Sequence, residues 1–375
     1  MGTIKKIFQD FGPQYLQQFG KSMPTNHKKV INAIINCKTD VYGTSIYQCR
    51  DCGKPHLVPL SCGNRHCPNC QYHKTRKWLN KQLHNQVPGA HFMITFTVPE
   101  QIRKFIKSHQ RSAYSAMFAA SSQALKILAA DPKHIGGDLP GFFGVLHTWG
   151  RQLQYHPHIH YVVAGCALNK KDLSYHPARN NFYLPVIPLG IIYKAKFKDL
   201  MKKQGLYELI PASAWKSAWN VNCQAGQNSN GEGNKNNAGE NAIKYLAPYV
   251  SRVAISDSRI VNVSDEAIVI KYKKQKSNRL RTTKFKPMDF IRRFLQHVLP
   301  KGFMKIRYFG FMHPACAVGL NKVKEIIIDT LGISGEFSKR NPEPQPEPVC
   351  PHCGGILIFR YLILPLRGQV RLLSG

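Results

Sequence analysis

Acidic residues are scarce in this chain. Only 20 of its 375 residues are Asp or Glu, against 53 Lys and Arg, so the formal net charge at pH 7 is +33. A surface with so much charge of one sign repels itself unless a polyanion neutralises it. Nucleic acid is the commonest partner of this kind, and an anionic membrane is a less common one. The charge balance therefore predicts a protein that binds nucleic acid.

Long hydrophobic runs are missing as well. No apolar stretch reaches the roughly 18 residues that a membrane-spanning helix needs. The opening residues, MGTIKKIFQDFGPQYL, lack the apolar segment and the small-residue cleavage site of a secretory signal. Position 6 also lacks the Ser or Thr of a myristoylation site. We therefore expect a protein that is neither exported nor attached to a membrane.

The chain does have enough apolar material for a core, because 43% of its residues are hydrophobic, and its length favours two or three domains. A helical stretch leads into a cysteine cluster, strands mixed with helices follow, and basic strands and helices come next. A linker rich in Pro and Glu then precedes a cysteine-containing tail. We place the segments at residues 1–86, 87–260, 261–340 and 341–375, and the pattern predicts an α+β fold.

Six of the eleven cysteines lie between Cys37 and Cys70. In a long chain without an export signal, such clustering favours reduced metal ligands over disulfides. Two Cys-x2-Cys pairs, Cys49 with Cys52 and Cys67 with Cys70, are separated by fourteen residues, close to the spacing of a zinc ribbon. The spacing predicts that these four thiolates hold one structural zinc ion. Four buried thiols without a metal are the alternative.

Further metal-ligating residues lie outside this set. Candidates for a second zinc site are Cys37, Cys62 and His66, completed by His56 or His73, although these residues could equally be packing residues. The tail carries another pair, Cys350 and Cys353, and His313 with Cys316 has the spacing to supply the other half of a site. Sites of this kind fold a segment and do not perform chemistry.

The stretch LHTWGRQLQYHPHIHYVVAG carries four histidines within fourteen positions. On a strand, His158 and His160 point to the same face, because side chains alternate, and two imidazoles on one face can share a divalent cation. If two strands pair through a turn near residues 152–153, His147 lies opposite His158 and becomes the third ligand. His156 has the same parity and is the rival third ligand. The alternative interpretation is a set of hydrogen-bonded core histidines.

Residues 243–254, IKYLAPYVSRVA, have the periodicity of an amphipathic helix. On such a helix Tyr245, Tyr249 and Arg252 share one face beside an apolar stripe. Two partly buried tyrosines on an ordinary helix are the alternative. Pro248 removes one helical hydrogen bond between the two tyrosines.

A metal held by histidines and a nearby tyrosine can cleave DNA together. A phenol has a pKa of about 10 and is a poor nucleophile at neutral pH, so its attack on a phosphodiester requires charge stabilisation at the phosphate. A divalent ion supplies that stabilisation as a Lewis acid. The products are a 5′-phosphotyrosine and a free 3′-hydroxyl, and the covalent bond allows rejoining without ATP. Two tyrosines permit two such joints, as strand exchange requires.

The segments HTWGRQLQYHPHIHYVV and KYLAPYVSRVAIS resemble the two-tyrosine HUH transposases of the insertion sequence 91 family. The cluster ending SCGNRHCPNCQ resembles the zinc-binding domain of that family. The segments FTVPEQI, FYLPVIPL and IRYFGFMHP follow in the order expected for the family. The resemblance covers about residues 30–330.

The resemblance implies that His158 and His160 bind Mg²⁺ or Mn²⁺ and that Tyr245 and Tyr249 are nucleophiles. It implies an HUH nuclease core over residues 87–260, in which an antiparallel sheet flanked by helices carries the metal on a central strand, after an N-terminal helical and zinc-ribbon-like domain. The implied activity is a transposase that nicks the single-stranded DNA ends of a mobile element and a target site, and transfers strands by a rolling-circle-like mechanism. Such an enzyme would act in the bacterial cytoplasm at the nucleoid.

Residues 271–286, KYKKQKSNRLRTTKFK, hold eight basic residues and no acidic one. As a hairpin in the segment 261–340 they could follow DNA phosphates, with Tyr272 and Phe285 available to stack on unpaired bases. A solvated charged hairpin is the alternative. The predicted DNA contacts are Lys271, Lys273, Lys274, Lys276, Arg279, Arg281, Lys284 and Arg252.

Other functions share parts of this pattern. Plasmid replication initiators and conjugative relaxases use the same nicking chemistry, but the zinc domain ahead of the histidines favours transposition. A zinc-dependent DNA-binding regulator with an inactive catalytic fold is a second alternative. A barrel-type metal hydrolase would need a further series of His and Asp ligands at strand ends, which the sequence lacks. The sequence leaves open which tyrosine attacks first, the number of zinc ions and the oligomeric state.

Overall fold

The computed structural model of the chain describes residues 2–70, 72–179, 182–226, 238–251, 254–274, 277, 279–332, 347–366 and 369–374. Over these ranges the chain forms helices and antiparallel sheets, so the predicted α+β class is confirmed. Within the same ranges, no helix combines the length and the apolar character that crossing a membrane would require.

The elements are numbered in chain order. The strands are β1 (Thr44–Cys49), β2 (Pro55–Pro59), β3 (His91–Thr97), β4 (Leu139–Trp149), β5 (Tyr155–Leu168), β6 (Tyr175–Pro177), β7 (Val221–Ala225), β8 (Ile260–Val263), β9 (Ile268–Lys273), β10 (Leu280–Phe285), β11 (Ile306–Phe309), β12 (Leu357–Leu366) and β13 (Gln369–Ser374). The α-helices are α1 (Thr3–Phe19), α2 (Thr25–Ile35), α3 (Tyr72–Asn85), α4 (Arg103–Ser108), α5 (Gln110–Ala130), α6 (Val186–Lys203), α7 (Ala212–Lys216), α8 (Ala238–Ser251), α9 (Pro287–Leu295) and α10 (Leu320–Leu331).

One compact unit comprises residues 1–76, 251–298 and 342–375. Helices α1, α2 and α9 pack together in it, with the rings of Phe8 and Phe294 in an edge contact at 5.1 Å. Its sheets have the strand orders β13-β12-β1-β2 and β10-β9-β8. The unit joins stretches that lie far apart along the chain, and the division into four sequence segments stays a prediction.

The other compact unit comprises residues 77–250 and 299–341 and contains one antiparallel sheet. Its strand order is β11-β4-β5-β3-β7, and the short β6 pairs with the end of β5. The central strand β5 is therefore flanked by β4 on one side and β3 on the other. This strand carries His156, His158 and His160.

The alternation of side chains gives this sheet two different faces. On one face, residues such as Phe96, Ile159 and Phe142 form the large apolar core, which also includes side chains of α5 and α6. On the other face, Val162 and Val145 pack against α8. Both faces are covered, which explains why β4 is buried almost along its whole length.

A close approach of strands β4 and β5 depends on Gly144. The ring of Tyr161 lies over this position, and a Cβ added there would be 2.4 Å from the ring carbon Cε1. The Tyr161 hydroxyl shares a 2.7 Å hydrogen bond with the hydroxyl of Ser121 on α5. Glycine at position 144 therefore leaves room for the Tyr161 ring, whose hydroxyl forms the hydrogen bond between β5 and α5.

Candidate active site

Three histidines on β4 and β5 form a compact cluster. His147 lies directly opposite His158, and Val145 lies opposite His160, so the predicted hairpin register is confirmed. The ring centre of His160 is 4.5 Å from that of His147 and 4.8 Å from that of His158. One ligand nitrogen from each ring lies within 4.8 Å of the others. This is a set of nitrogens that could converge on one cation.

Hydrogen bonds engage the Nδ1 atoms of two of these rings. The Nδ1 of His158 lies 2.7 Å from the backbone oxygen of His156, and because a carbonyl only accepts, Nδ1 carries the proton and donates it. The Nδ1 of His160 lies 2.8 Å from the hydroxyl of Thr95 on β3. Each Nε2 is then left for a ligand, as in protein metal sites. His156, the rival third ligand, contributes its backbone here and is not part of the clustered group.

Burial keeps the three imidazoles neutral. Desolvation lowers the pKa of His158 to about 4, and it holds the pKa values of His147 and His160 well below the usual value for histidine. Neighbouring imidazoles lower the pKa values further. At neutral pH all three rings are therefore in the form that donates a lone pair to a metal.

Two cationic side chains near the histidines were not found from the sequence. The charge of Arg103, at the start of α4, contributes to lowering the pKa of His158, and Lys305 contributes to lowering that of His147. The Lys305 ammonium lies 5.0 Å from the centre of the Trp149 ring, and this ring stacks on His147. Burial lowers the pKa of the Arg103 guanidinium itself. The surroundings of the cluster are thus positive and suited to an anionic group.

The helix that carries the tyrosines lies on the histidine face of the sheet. Ile243 and Leu246 of α8 are buried against Val145 and Val162 of the sheet. Val145 is the cross-strand partner of His160. Val162 is two residues after His160 on β5 and therefore points to the same face. Both tyrosine positions lie within the helix, as predicted.

Tyr245 is half exposed, at 50%. It lines an open cavity of about 690 Å³ together with Met93, Gln224 and Asn241. Met93 lies on the same face of β3 as Thr95, whose hydroxyl contacts His160. The cavity is therefore on the sheet face that bears the histidine cluster. The side chain of Tyr249 and all of Arg252 lie outside the described residues.

The family models and the relatives that match this chain are described as transposases. The family model described as "Putative transposase" matches residues 141–318, and the model described as "Transposase zinc-binding domain" matches residues 7–98. "Putative transposase y4qJ" of Sinorhizobium fredii is 31% identical over an alignment of 331 residues that covers 82% of this chain and 80% of that protein. "Transposase for insertion sequence element IS801" of Pseudomonas savastanoi pv. phaseolicola is 26% identical over an alignment of 316 residues that covers 80% of this chain and 73% of that protein. No solved structure matches.

This chain belongs to the insertion sequence 91 family of transposases. The resemblance seen in the sequence is confirmed, and the substrate of a transposase is DNA. The transposase also has a zinc-binding domain, and its clustered cysteines fit the predicted structural zinc.

The structure corrects the predicted grouping of the zinc ligands. Two clusters of four cysteines each have sulfur atoms within 4.8 Å of one another: Cys37, Cys62, Cys67 and Cys70 form one, and Cys49, Cys52, Cys350 and Cys353 form the other. The two predicted pairs are thus in different clusters. The pairing of β1 with β12 explains this, because it carries the end of β1 to the cysteine-containing tail.

The first cluster has the dimensions of a single-ion site. The sulfur of Cys70 lies 3.4 Å from that of Cys37 and 3.3 Å from that of Cys62. Four sulfurs around one tetrahedral zinc ion are about 3.8 Å apart when each Zn–S bond is about 2.3 Å. His66, predicted as a ligand with Cys37 and Cys62, is buried beside this cluster but is not one of its four members.

The basic segment forms the predicted hairpin of β9 and β10. Lys271, Lys273 and Lys284 are exposed and project from one face, and Arg281 lies opposite Tyr272 on the other. Phe285 is buried under the guanidinium of Arg293 at 4.8 Å, so the prediction that it stacks on bases is wrong. Lys274 and Arg279 are exposed at the hairpin end, and Lys276 lies outside the described residues.

Proposed function

We propose that this transposase nicks single-stranded DNA with a tyrosine nucleophile at a divalent metal site formed by His147, His158 and His160. The observation that carries the proposal is the common sheet face: the histidine cluster and the tyrosine helix α8 both lie on it. The protonated Nδ1 of His158 and the neutral state of the rings fit a site for a divalent cation, and the family resemblance implies that this cation is Mg²⁺ or Mn²⁺. A bound ion of this kind supplies Lewis-acid stabilisation to the scissile phosphate.

In the proposed reaction a tyrosine of α8 attacks the phosphodiester and replaces the 3′ oxygen. The phenol oxygen of Tyr245 or Tyr249 forms a bond to phosphorus and loses its proton, and the bond from phosphorus to the 3′ oxygen breaks. The departing 3′ oxygen takes up a proton and becomes a hydroxyl, and the 5′ phosphate remains on the tyrosine. A second transfer to another 3′-hydroxyl reverses these steps on a new strand. Two nucleophiles allow the strand transfers of a rolling-circle-like reaction.

Arg103 and Lys305 support this chemistry, one near His158 and the other near His147. Both cations act on the histidines strongly enough to lower their pKa values, so a phosphate brought there meets positive charge as well as the metal ligands. Charge that is already in place when negative charge develops on the phosphate lowers the barrier most effectively.

A covalent trapping assay tests the proposal. We expect the transposase, mixed with a single-stranded oligonucleotide from an element end and Mn²⁺, to give a protein band labelled with DNA after denaturation, and EDTA to remove it. The 3′ fragment should carry the protein, and the 5′ fragment should end in a free hydroxyl that a polymerase extends. Tight DNA binding without any labelled band would contradict nicking and support a non-catalytic DNA-binding protein.

The basic hairpin is expected to follow phosphates of the DNA. We expect the double variant Lys271→Ala/Lys284→Ala to weaken single-strand binding and to reduce the slope of log affinity against log salt by about 0.7 for each lost phosphate contact. Both lysines are exposed on the same hairpin face, so the fold should not change. Lys6→Ala/Lys21→Ala, which removes two exposed lysines elsewhere, is the matched control. Equal salt slopes for the two double variants would contradict a DNA contact by the hairpin.

A further inference from the structure

We infer that Cys49, Cys52, Cys350 and Cys353 bind a second structural zinc ion, which joins the C-terminal tail to the N-terminal zinc-binding domain. The two family models end at residues 98 and 318, so neither includes the two tail cysteines. The inference concerns the compact unit of residues 1–76, 251–298 and 342–375, and it does not depend on the nicking chemistry.

The sulfur positions fit a single tetrahedral ion. The Cys49 sulfur lies 3.4 Å from that of Cys353, which is 304 positions away, and the Cys52 sulfur lies 3.9 Å from that of Cys350. These distances bracket the edge of about 3.8 Å expected for four thiolates around zinc. They are also far too long for disulfide bonds, which measure about 2.05 Å. Four thiolates at this separation would repel one another without a cation between them.

Both halves of the site have the same local structure. Each is a Cys-x2-Cys-Gly turn, CRDCG at 49–53 and CPHCG at 350–354. In each turn the glycine amide donates to the carbonyl of the first cysteine, at 3.0 Å for Gly53 and 2.9 Å for Gly354. The backbone amide of the first cysteine donates to the carbonyl of the residue five positions later: Cys49 to Lys54 at 2.9 Å and Cys350 to Gly355 at 2.7 Å.

The two glycines are required by the backbone of these turns. Gly53 has a φ of +68° and Gly354 a φ of +78°, a region that residues with a Cβ rarely adopt. A Cβ added at either glycine would meet no atom within 4 Å, so packing does not explain the residue type. The turn conformation itself does, and it aims both sulfurs of each pair toward one point.

Strand pairing brings the two turns together. In the antiparallel pairing of β1 with β12, Cys49 lies opposite Leu357, so the turn that ends β1 and the turn that precedes β12 are at the same end of the sheet. The amide of Arg50 donates to the carbonyl of Ile356 at 2.9 Å across the contact. A Cβ on Gly355 would lie 2.3 Å from the Asp51 carboxylate, so a larger residue here would require the Asp51 side chain to move.

His56 on β2 contacts the site from outside the four sulfurs. Its Nε2 lies 3.2 Å from the Cys350 sulfur, a distance at which an imidazole donates a hydrogen bond to a metal-bound thiolate. The sulfur set is already complete without it, so His56 is a supporting residue. The surroundings therefore match a structural zinc site with an outer hydrogen bond.

Zinc content measures the inference directly. We expect the purified full-length transposase to hold two zinc ions per chain, and the Cys350→Ser/Cys353→Ser variant to hold one. Cys316 has the spacing from His313 to be an alternative partner of the tail cysteines, so Cys316→Ser is the control and should retain two zinc ions per chain. A wild-type content of one, an unchanged content in the double variant, or iron in place of zinc would each overturn the inference.

Alkylation of the unchanged protein gives a second test that does not depend on how a variant folds. Cys52 and Cys353 are both exposed, so as free thiols they would react at once with a maleimide. We expect zinc to slow their labelling by more than about 10-fold and a chelator to release both residues together, since each thiolate is a metal ligand. Immediate labelling of either residue in the zinc-loaded protein would contradict the site, whatever the outcome of the nicking assay.

Discussion

The variant His160→Ala is expected to lower the rate of single-strand cleavage by about 10³-fold. The ring centre of His160 is 4.5 Å from that of His147 and 4.8 Å from that of His158, so its removal takes away one of the three nitrogens of the proposed metal site. Loss of one preorganised group that stabilises charge in a transition state costs about 10²–10³-fold, and a lost metal ligand lies at the upper end of this range. Cleavage kinetics with saturating Mn²⁺, together with a metal titration, measure the effect.

Two further variants separate metal binding from general disturbance of the strand. Thr95→Val keeps a β-branched side chain but removes the hydroxyl that contacts His160 Nδ1, and it should weaken Mn²⁺ binding by about 10- to 100-fold, as outer-shell partners do. His156→Ala, on the same strand but outside the ligand cluster, should have a much smaller effect, because its carbonyl remains to orient His158. A loss in His156→Ala as large as that in His160→Ala would contradict the assignment of His147 as third ligand.

The histidine site could be predicted because it follows from local rules. Strand alternation places His158 and His160 on one face, and the position of a tight turn fixes that His147 lies opposite His158. The helix with two tyrosines and the basic hairpin follow from equally short-range periodicity. In all these elements the decisive contacts join residues a few to a few tens of positions apart.

The grouping of the cysteines could not be predicted in the same way. Spacing identifies pairs such as Cys49 with Cys52, but it does not identify which second pair they join. That choice is made by the pairing of β1 with β12, between residues about 300 positions apart, and no local pattern encodes it. The one available signal was the repeated Cys-x2-Cys-Gly form at 49–53 and 350–354, which indicates two halves of one kind of site.

The surroundings of the site were missed for a related reason. Arg103 and Lys305 belong to no motif, and they approach the histidines only because α4 and the segment before β11 pack near the β4–β5 hairpin. Phe285 shows the opposite error. The strand pattern predicts which face of β10 the Phe285 side chain points to. It does not predict that Arg293 of α9 covers that face.

Replacement of both tyrosines of α8 by phenylalanine should abolish the covalent protein–DNA product. Loss of a nucleophile typically costs at least about 10⁴-fold, which places the adduct below detection. Phenylalanine retains each ring, and Tyr245 is half exposed, so the Tyr245→Phe change should alter stability by no more than about 0.5 kcal/mol. DNA binding should persist, because the proposed phosphate contacts lie on the β9–β10 hairpin.

The single variants Tyr245→Phe and Tyr249→Phe then assign the two transfers. If each tyrosine carries one strand, each single variant should still form an adduct but fail to complete strand transfer between two oligonucleotides. Fragmentation of the tryptic peptide 245–252 identifies the modified residue in each case. Tyr207→Phe, which alters a tyrosine stacked on Trp215, is the matched control and should behave as the unchanged protein. An adduct of full yield in the double variant would move the nucleophile off α8, and the common sheet face would then have to be explained by another role for this helix.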